Sequence, residues 1–527
     1  MPDRTRTSIK RDSALSALPP RSARAMRFTS LIVELIRAKP RWIFWGSVLA
    51  LALVWLILPT LLYLSPPGRV PDVLAFGREY QLGSELGPPL AFWLADVAFR
   101  LVGGYAFGVY ILAQICFVVT MAAVFALARA MVGPQQGAVA TLLTIAIAAF
   151  SYPGLEFGPD ILARPLWALV LLHAWYVIGE GRRGAWFALS IELGLLFLTT
   201  AIAPVLFCLL VIFALATSRG RKALRSIDPV LGLLVIAVIA LPYAIWLVRN
   251  GVIWRRLSLG SLEAYAWRAA LLYGALVLSA LGVIALVVAN APWFERKGEE
   301  APAIFRPHLD PLARHFVLFF GVLPLVLFPP VSAAFGFDHV IGGNGVVLLL
   351  AGVLVVVMGG DLIYLRRQQV LRAIWLLALA TPVIIVLVIV GVQPWIDGKE
   401  VQTSLPARQM GTFFSDHYRL RTNRPLPAVA GDPQIASLIS LGAPSRPQVL
   451  FGTRYSRTPW IDTATINNGG GVVVWRAHDT VGAPPPELAK QFPGLVAEVP
   501  RTFDRLIEGQ QETLRIGWGV VRPRDTK

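Results

Sequence analysis

Eleven long apolar runs constrain this chain of 527 residues more than any other feature of its sequence. A bilayer core about 30 Å thick is crossed by roughly 20 apolar residues of α-helix, and each run approaches or exceeds that length. Hydrophobic residues make up 56% of the chain and charged residues only 15%, which excludes an ordinary soluble protein. The sequence therefore predicts an α-helical polytopic membrane protein with about eleven transmembrane helices, at 42–64, 104–131, 136–152, 161–178, 184–199, 201–217, 230–248, 266–291, 315–335, 344–364 and 373–396.

Basic residues are distributed unevenly between the loops that join these runs. If the N-terminus lies inside, the inner segments carry 24 Lys and Arg and the outer segments carry 8. Because cytoplasmic loops are rich in Lys and Arg, residues 1–41 are predicted to be a basic cytoplasmic tail and the C-terminus to lie outside. The same rule accounts for much of the net charge of +17, so we expect no nucleic-acid partner. Cys116 and Cys208 lie inside apolar runs, which supports neither a disulfide framework nor a cysteine metal site.

A polar first outer loop, residues 65–103, interrupts the predicted membrane domain, which spans 42–397. In "PPLAFWLADVAFRLVG", Asp96 and Arg100 lie on one helical face, and the other face is apolar, with Leu90, Trp93, Leu94, Val97 and Leu101. This spacing predicts short helices that lie on the membrane surface.

The composition changes after Trp395 to that of a soluble domain. Short β-branched runs such as "RPQVLFG", "GGVVVW" and "LRIGWGVV" are bounded by Pro, Gly and Asn, and "DPQIASLISLGA" is typical of a helix with an Asp N-cap. Residues 398–527 are therefore predicted to form a small extracytoplasmic (periplasmic) α/β domain.

Charged residues gather in four predicted outer segments: Asp72, Arg78, Glu79 and Glu85; Glu156, Asp160 and Arg164; Arg249, Arg255, Arg256 and Glu263; and Asp338 with His339. Acidic loops on one face can share a divalent cation, or place one carboxylate to take a proton from an acceptor hydroxyl. Outer arginines can hold a phosphate through forked, charge-assisted hydrogen bonds. The pattern indicates a site where a phosphate leaving group and a hydroxyl nucleophile meet at the membrane surface.

Each cluster also has a purely structural interpretation. Loop acids are commonly solvated, Arg255 and Arg256 after Trp254 would also anchor to lipid headgroups, and Asp338 with His339 would form a turn. Within the apolar runs, Glu192 fits an acid paired with a neighbouring helix and His173 a packed interior histidine, whereas a proton relay through Glu192 would indicate a transporter. We find no Walker loop, dinucleotide glycine motif, HExxH or nucleophile elbow, so no nucleotide or redox cofactor is expected.

Several sequence segments of the chain together resemble those of the GT-C membrane glycosyltransferases, and more narrowly those of the bacterial family 39 and aminoarabinose-transferase-like branch. They are the acid-containing first loop with "GREYQLG" and Pro-Pro-Leu, the second loop "LEFGPDILARPLWAL", and "RPLPAVAGD", "RPQVL", "TPW" and "GGVVVW" near the C-terminus. The resemblance implies a bacterial inner-membrane enzyme that moves a sugar from a polyprenyl-phosphate carrier to a lipid, glycan or protein hydroxyl on the outer face. Lipopolysaccharide and other components of the cell envelope are the acceptors it suggests.

The resemblance also assigns roles to individual residues. Asp72 corresponds to the first-loop acid that serves as catalytic base or metal ligand, and Glu156 to the second-loop acid, with Asp160 one helical turn further on. Arg255 or Arg256 corresponds to the ligand of the carrier phosphate, and Arg78 and Glu79 are predicted to bind substrate. The expected divalent cation is Mg²⁺, Mn²⁺ or Zn²⁺, with Asp72 and Asp160 as ligands.

Two departures from the family pattern keep a second hypothesis open. Relatives commonly have Lys or His directly before the Pro pair, where this chain has Leu86 and Gly87. They also often have a Lys-Tyr pair where this chain has Thr199, Thr200 and Ala201. These differences remove cationic or proton-transferring groups near the expected phosphate. The alternative is therefore a catalytically impaired relative that binds an isoprenoid lipid or glycolipid in envelope assembly.

Overall fold

The computed structural model describes residues 33–84, 86–152, 155–250, 261–291, 303–306, 308–396, 400–452, 460–477 and 479–524. Two short strands pair antiparallel in the N-terminal part, β1 (Ala303–Phe305) and β2 (Leu362–Tyr364). The helices of this part are α1 (Pro40–Leu62), α2 (Val70–Arg78), α3 (Leu90–Leu101), α4 (Phe107–Ile145), α5 (Ala148–Ser151), α6 (Pro159–Ile178), α7 (Ala185–Phe197), α8 (Ala203–Ala216), α9 (Ser218–Leu224), α10 (Asp228–Asn250), α11 (Leu262–Ala289), α12 (Pro311–Ala334), α13 (Gly343–Val347), α14 (Ala351–Met358), α15 (Gln368–Gly391) and α16 (Gln393–Ile396).

Seven helices in the described part of the chain are long and apolar enough to cross a membrane, namely α1, α4, α6, α10, α11, α12 and α15. The number rises to eight if α8 and α9, which meet at a bend of 109°, form one broken span. Helix α7 and the segment 343–358 are apolar but shorter. The chain is thus a multi-pass membrane protein, and the predicted fold class is confirmed.

The difference from about eleven predicted spans arises from bends and short helices. The predicted spans 104–131 and 136–152 are joined in α4, a 39-residue element whose helical geometry is interrupted at Gly133, with φ 82° and ψ 170°. Pro134 follows, and a ring without a backbone N–H favours a break there. The end of the predicted span 344–364 is wrong, because residues 362–364 form β2.

The described loops fall into the same two sets that the charge pattern predicts. At one end of the helices, residues 64–68 contact the C-terminal domain and Glu156, the amide of Leu90 donates to Leu198, and Gly342 contacts Ile202. We call this the site end. At the opposite end lie the ion pairs Arg183–Asp228, Arg219–Asp310 and Arg306–Asp361. Which end faces the cytoplasm stays a prediction from the distribution of charge.

The C-terminal domain contains a five-stranded sheet of β3 (Ala428–Gly431), β4 (Gln448–Leu450), β5 (Gly471–Arg476), β6 (Leu495–Phe503) and β7 (Leu514–Val521), in the order β4-β3-β5-β7-β6. Strand β3 is parallel to β4 and β5, whereas β7 is antiparallel to its neighbours β5 and β6. The predicted small α/β domain is confirmed as a fold. Its helices are α17 (Ala407–Thr422), α18 (Pro433–Gly442), α19 (Thr463–Gly469) and α20 (Pro486–Gln491), and Gln402–Ser404 is a 3-10 turn.

The predicted Asp N-cap explains where α18 begins. Asp432 accepts hydrogen bonds from the amides of Gln434 and Ile435, both at 3.0 Å, which satisfies two donors of the first turn. Helix α18 in turn lies against α2 of the first outer loop. The ring of Phe76 on α2 contacts Phe451 at 5.5 Å and Trp460 at 4.9 Å. The first loop is therefore held between the membrane helices and the C-terminal domain.

Candidate functional site

Helix α2 places the first-loop acid inside the protein. Pro71 occupies the first turn, where its fixed φ suits a helix start, and Asp72 follows in the same turn, where the positive end of the helix dipole favours a carboxylate. Residues 70–77 are all buried, and Asp72 is 2% exposed. A buried carboxylate is costly without compensating interactions, so its place here is a candidate for function.

The second-loop acid lies directly against the start of this segment. A Cβ at Gly68 would collide with the carboxylate of Glu156, and Gly158 lies against the Cγ2 of Val73 on α2. Gly68 has φ +55°, a conformation that favours glycine. The two acidic loops predicted from the sequence thus meet at the site end.

The surroundings of Glu156 change its acidity. Glu156 is open to solvent, yet the atoms around its carboxylate partly desolvate it and raise its pKa, while the charge of Arg69 lowers that pKa less strongly. Tyr63 and Tyr152 are close enough for the Glu156 charge to act on them, and burial together with that charge raises the pKa of Tyr63 to about 12. A carboxylate with a raised pKa that solvent reaches is suited to accept a proton.

Asp160 begins the helix that follows. It lies in the first turn of α6 and is exposed, with Gly343 at the start of α13 close to its Cβ. Arg164, one turn further on, donates from Nη1 to the carbonyl of Ala149 at 2.8 Å, and its Nε has no partner within the described residues. Asp160 therefore lies at the site end, one helical turn from Glu156 in sequence.

Arg78 and Glu79 lie at the joint between α2 and the C-terminal domain. Gln448 of β4 donates to Glu79 at 3.0 Å, and burial is the main reason why the pKa of Glu79 is raised. The Nη1 of Arg78 is buried without a hydrogen-bond partner in the described part of the chain, which leaves it a donor for a ligand anion. The substrate-binding roles of both residues stay predictions.

The polar face of α3, predicted to carry Asp96 and Arg100, has Asp96 buried in the protein and Arg100 exposed. Asp96 is fully buried and receives hydrogen bonds or ion pairs from Tyr80 at 2.9 Å, Arg100 at 2.6 Å and Arg446 at 3.0 Å. The helix itself is as predicted, but the face that carries Val97 and Leu101 is exposed. The apolar face is therefore left for lipid, and the acid points into the protein.

Arg446 and Gln402 are two residues that the sequence analysis did not identify. Besides Asp96, Arg446 donates to the carbonyl of Leu74 on α2 at 3.0 Å and stacks 4.5 Å from the ring of Phe99. The side chain of Gln402 donates to the carbonyls of Pro66 at 2.9 Å and Gly68 at 2.8 Å. Arg446 falls within "SRPQVL", where the sequence predicts a strand, and no local feature of the sequence links it to α2.

The predicted metal site has no counterpart among the described residues, and the predicted phosphate ligands lie outside them. Among the described residues, no group of three or more His, Cys, Asp and Glu side chains could hold a metal ion. Asp72 and Asp160 therefore do not form a recognisable metal centre in that part of the chain, and we derive no step through a cation. Arg255, Arg256 and Glu85 lie outside the described residues.

The intramembrane acid has a defined partner. Glu192 on α7 lies 2.8 Å from the Nδ1 of His173 on α6. This contact agrees with the interpretation of Glu192 as an acid paired with a neighbouring helix.

Comparison with known proteins gives a family match over part of the chain and structural matches to solved proteins. Residues 87–246, less than a third of the chain, match the family described as dolichyl-phosphate-mannose-protein mannosyltransferase. The chain is similar in structure to ArnT from Cupriavidus metallidurans bound to undecaprenyl phosphate, with a TM-score of 0.57 and 14% sequence identity over 92% of this chain and 98% of that one. No curated protein matches the sequence. The predicted resemblance to the GT-C membrane glycosyltransferases is confirmed at the level of the fold.

Proposed function

We propose that this protein is a GT-C-type glycosyltransferase that moves a sugar from a polyprenyl-phosphate carrier to a hydroxyl of a lipid or glycan at the membrane surface. The observation that carries the proposal is the meeting of the two acidic loops, with Glu156 against Gly68 and Asp72 at the start of α2. The ArnT-like fold and the family match support the same reaction class. By the charge pattern, the site end faces the outer side of a bacterial inner membrane.

The reaction is a single displacement. The acceptor oxygen attacks the anomeric carbon, the bond between that carbon and the phosphate oxygen breaks, and polyprenyl phosphate leaves with the bonding electrons. Because the nucleophile enters opposite the leaving group, the configuration at the anomeric carbon inverts. The proton of the acceptor hydroxyl passes to a carboxylate of the site.

Glu156 suits the role of proton acceptor better than Asp72. Its pKa is raised by desolvation and solvent reaches it, whereas Asp72 is buried in the first turn of a helix whose dipole favours the ionised form. We therefore propose Glu156 as the base, and Asp72 as the acid that fixes the reacting groups beside it. This division differs from the sequence-based assignment, which gave the base to Asp72.

Arginines at the site end would bind the departing phosphate. The Nη1 of Arg78, which has no hydrogen-bond partner within the described residues, supports that role, and Arg255 and Arg256 remain predicted phosphate ligands. Forked guanidinium donors match phosphate oxygens, and their charge stabilises the leaving group as negative charge develops on it.

A transfer assay separates this proposal from the binding-only alternative. The protein is reconstituted in vesicles with a radiolabelled polyprenyl-phosphate sugar and a bacterial membrane lipid extract as acceptor. We expect label to leave the carrier and appear in an acceptor fraction at a rate that depends on the protein. Retention of the intact carrier without transfer, for every carrier sugar tested, would favour the catalytically impaired relative.

The charge of Arg69 is expected to influence the pH below which the transfer rate falls, that is, the position of the acid limb of the pH–rate profile. Glu156 accepts a proton only when ionised, so transfer falls as the pH drops through its pKa, which lies above the ordinary Glu value of about 4.3. Arg69→Gln removes a charge that lowers this pKa, so the acid limb moves to higher pH. Arg69→Lys keeps the charge and is the control. An acid limb that is identical in the wild type and Arg69→Gln would contradict the assignment of Glu156 as base.

A methyl group at Gly68 is expected to displace the Glu156 carboxylate. Gly68→Ala places a Cβ where that carboxylate lies, and misplacing a catalytic group by about 1 Å lowers rates on the order of 100-fold. Gly181→Ala is the matched control, because Gly181 has a similar φ of +69° but no other atom within 4 Å of an added Cβ. Transfer rates and melting temperatures of both variants are compared. Equal transfer by the two would show that the contact between Gly68 and Glu156 has no functional role.

A further inference from the structure

We propose that a groove on the C-terminal domain binds the sugar headgroup of a glycolipid acceptor, an inference that rests on the proposed transferase function. The groove has a volume of about 620 Å³ and lies between Leu64, at the end of α1, and one face of α17. That face contributes Arg408, Gln409, Thr412, Phe413, Asp416 and His417.

The aromatic part of the lining is rigid. The rings of Phe413 and His417 lie 3.9 Å apart at 33°, and Trp518, which is buried behind them, lies 5.7 Å from Phe413. A pyranose ring has one face of C–H groups that stacks on an aromatic ring, and ligand sites commonly combine such rings with a few fixed polar groups. His417 lies against the Phe413 ring and the guanidinium of Arg501 lies 5.4 Å from its centre, so Phe413 is fixed in place and gives the groove an apolar aromatic wall for the C–H groups of a sugar.

Two polar side chains that line the groove have hydrogen-bonding groups without a partner in the described part of the chain. Within the described residues, Gln409 and Asp416 have no hydrogen-bond or ion-pair partner, and an amide and a carboxylate together supply the donors and acceptors that neighbouring hydroxyls need. The Nδ1 of His417 lies 2.8 Å from the carbonyl of Phe413, to which it donates, so in the neutral ring Nε2 is an acceptor. Arg408 is held by the hydroxyl of Tyr105 at 2.9 Å.

The position of the groove indicates a lipid-linked sugar rather than a soluble one. Leu64 lies two residues beyond the end of α1, and Tyr105 lies two residues before the start of α4, so both mark the level at which membrane helices end. Leu64 is 44% exposed, which leaves an apolar contact for the lipid part of the ligand. The charge of Glu156 acts on the neighbouring residue Tyr63. A headgroup in the groove would thus lie next to the segment that contacts the proposed base.

The test measures glycolipid binding separately from transfer. Protein in phosphatidylcholine nanodiscs is offered glucosyl-diacylglycerol, galactosyl-diacylglycerol, lipid A or phosphatidylglycerol, and retained lipid is counted by native mass spectrometry. We expect at least one glycolipid to be retained in preference to phosphatidylglycerol, and the double variant Gln409→Ala with Asp416→Ala to lower its retention at least fivefold. The control is Gln491→Ala with Glu487→Ala, which also removes one amide and one carboxylate, on α20 outside the groove.

Specific outcomes overturn the proposal. No glycolipid retained above phosphatidylglycerol, or equal retention by the double variant and the wild type, shows that the groove is not a sugar site. Glu156→Gln separates this failure from a failure of the proposed function, because it is expected to lower the transfer rate strongly and to leave glycolipid retention unchanged. A wild-type protein that retains glycolipid without transferring sugar refutes the transferase function and leaves the groove assignment intact.

Discussion

Glu156→Gln is expected to lower the rate of sugar transfer by a factor of about 10² to 10⁴, the range that one general base contributes. The amide keeps the shape of the side chain beside Gly68 but cannot take the acceptor proton. Asp72→Asn is expected to cost a comparable factor, because the neutral amide no longer orients the reacting groups. Binding of the carrier lipid should be unaffected by either change.

The controls for these two variants exclude general damage to the protein. Glu487→Gln changes an exposed acid on α20 and should leave the transfer rate unchanged. Melting temperatures and carrier retention are measured alongside transfer for all three variants. A Glu156→Gln protein that transfers at the wild-type rate would exclude Glu156 as the base.

Asp96→Ala is expected to destabilise the folded protein by about 3–5 kcal/mol, the usual cost of removing one partner from a buried ion pair. Asp96 is fully buried, and the change leaves Arg446 between α2 and α3 without its counter-ion. Burial lowers the pKa of Arg446, whereas the charge of Asp96 and its hydrogen bond act in the opposite direction, so that carboxylate stabilises the buried guanidinium. The measurement is the midpoint of thermal unfolding of the C-terminal domain, with the full protein in detergent.

Removing the other partner of this ion pair, in Arg446→Ala, should destabilise the folded protein less. In Arg446→Ala the carboxylate of Asp96 keeps Arg100 and the hydroxyl of Tyr80, so less charge is left uncompensated. Arg182→Ala, which removes an exposed pair with Glu180 at the opposite end, is the control and should have little effect. Equal unfolding midpoints for Asp96→Ala and Arg182→Ala would show that the ion pair between Asp96 and Arg446 does not stabilise the contact between the first outer loop and the C-terminal domain.

The membrane helices and the strands of the C-terminal domain could be predicted because their signals are local. The runs of about 20 apolar residues, the break at Gly133 and Pro134, and the Asp432 cap each act within one segment. Charge distribution sorted the loops into two sets, and the described contacts reproduce those sets. The convergence of the acidic loops follows from that sorting.

What could not be predicted depends on pairs that are distant in sequence. Asp96 meets Arg446, 350 positions away, and Gln402 reaches the carbonyl of Gly68, 334 positions away. A helical wheel of α3 separates a polar from an apolar face but does not show which of them meets protein and which meets lipid, so the burial of Asp96 does not follow from the sequence. Helix α17 was not predicted, because its charged residues share the segment with Phe414 and Tyr418, whose burial is decided by contacts elsewhere in the domain.

The most direct test of the account is the stoichiometry of the reaction in reconstituted vesicles. Mass spectrometry is used to count the polyprenyl phosphate released from a polyprenyl-phosphate sugar and the sugar gained by the lipid acceptor, for the wild type and Glu156→Gln. The account predicts equal amounts of both products with the wild type, an inverted anomeric linkage, and almost none of either product with the variant. Intact carrier in both samples, or equal product from both proteins, would contradict it.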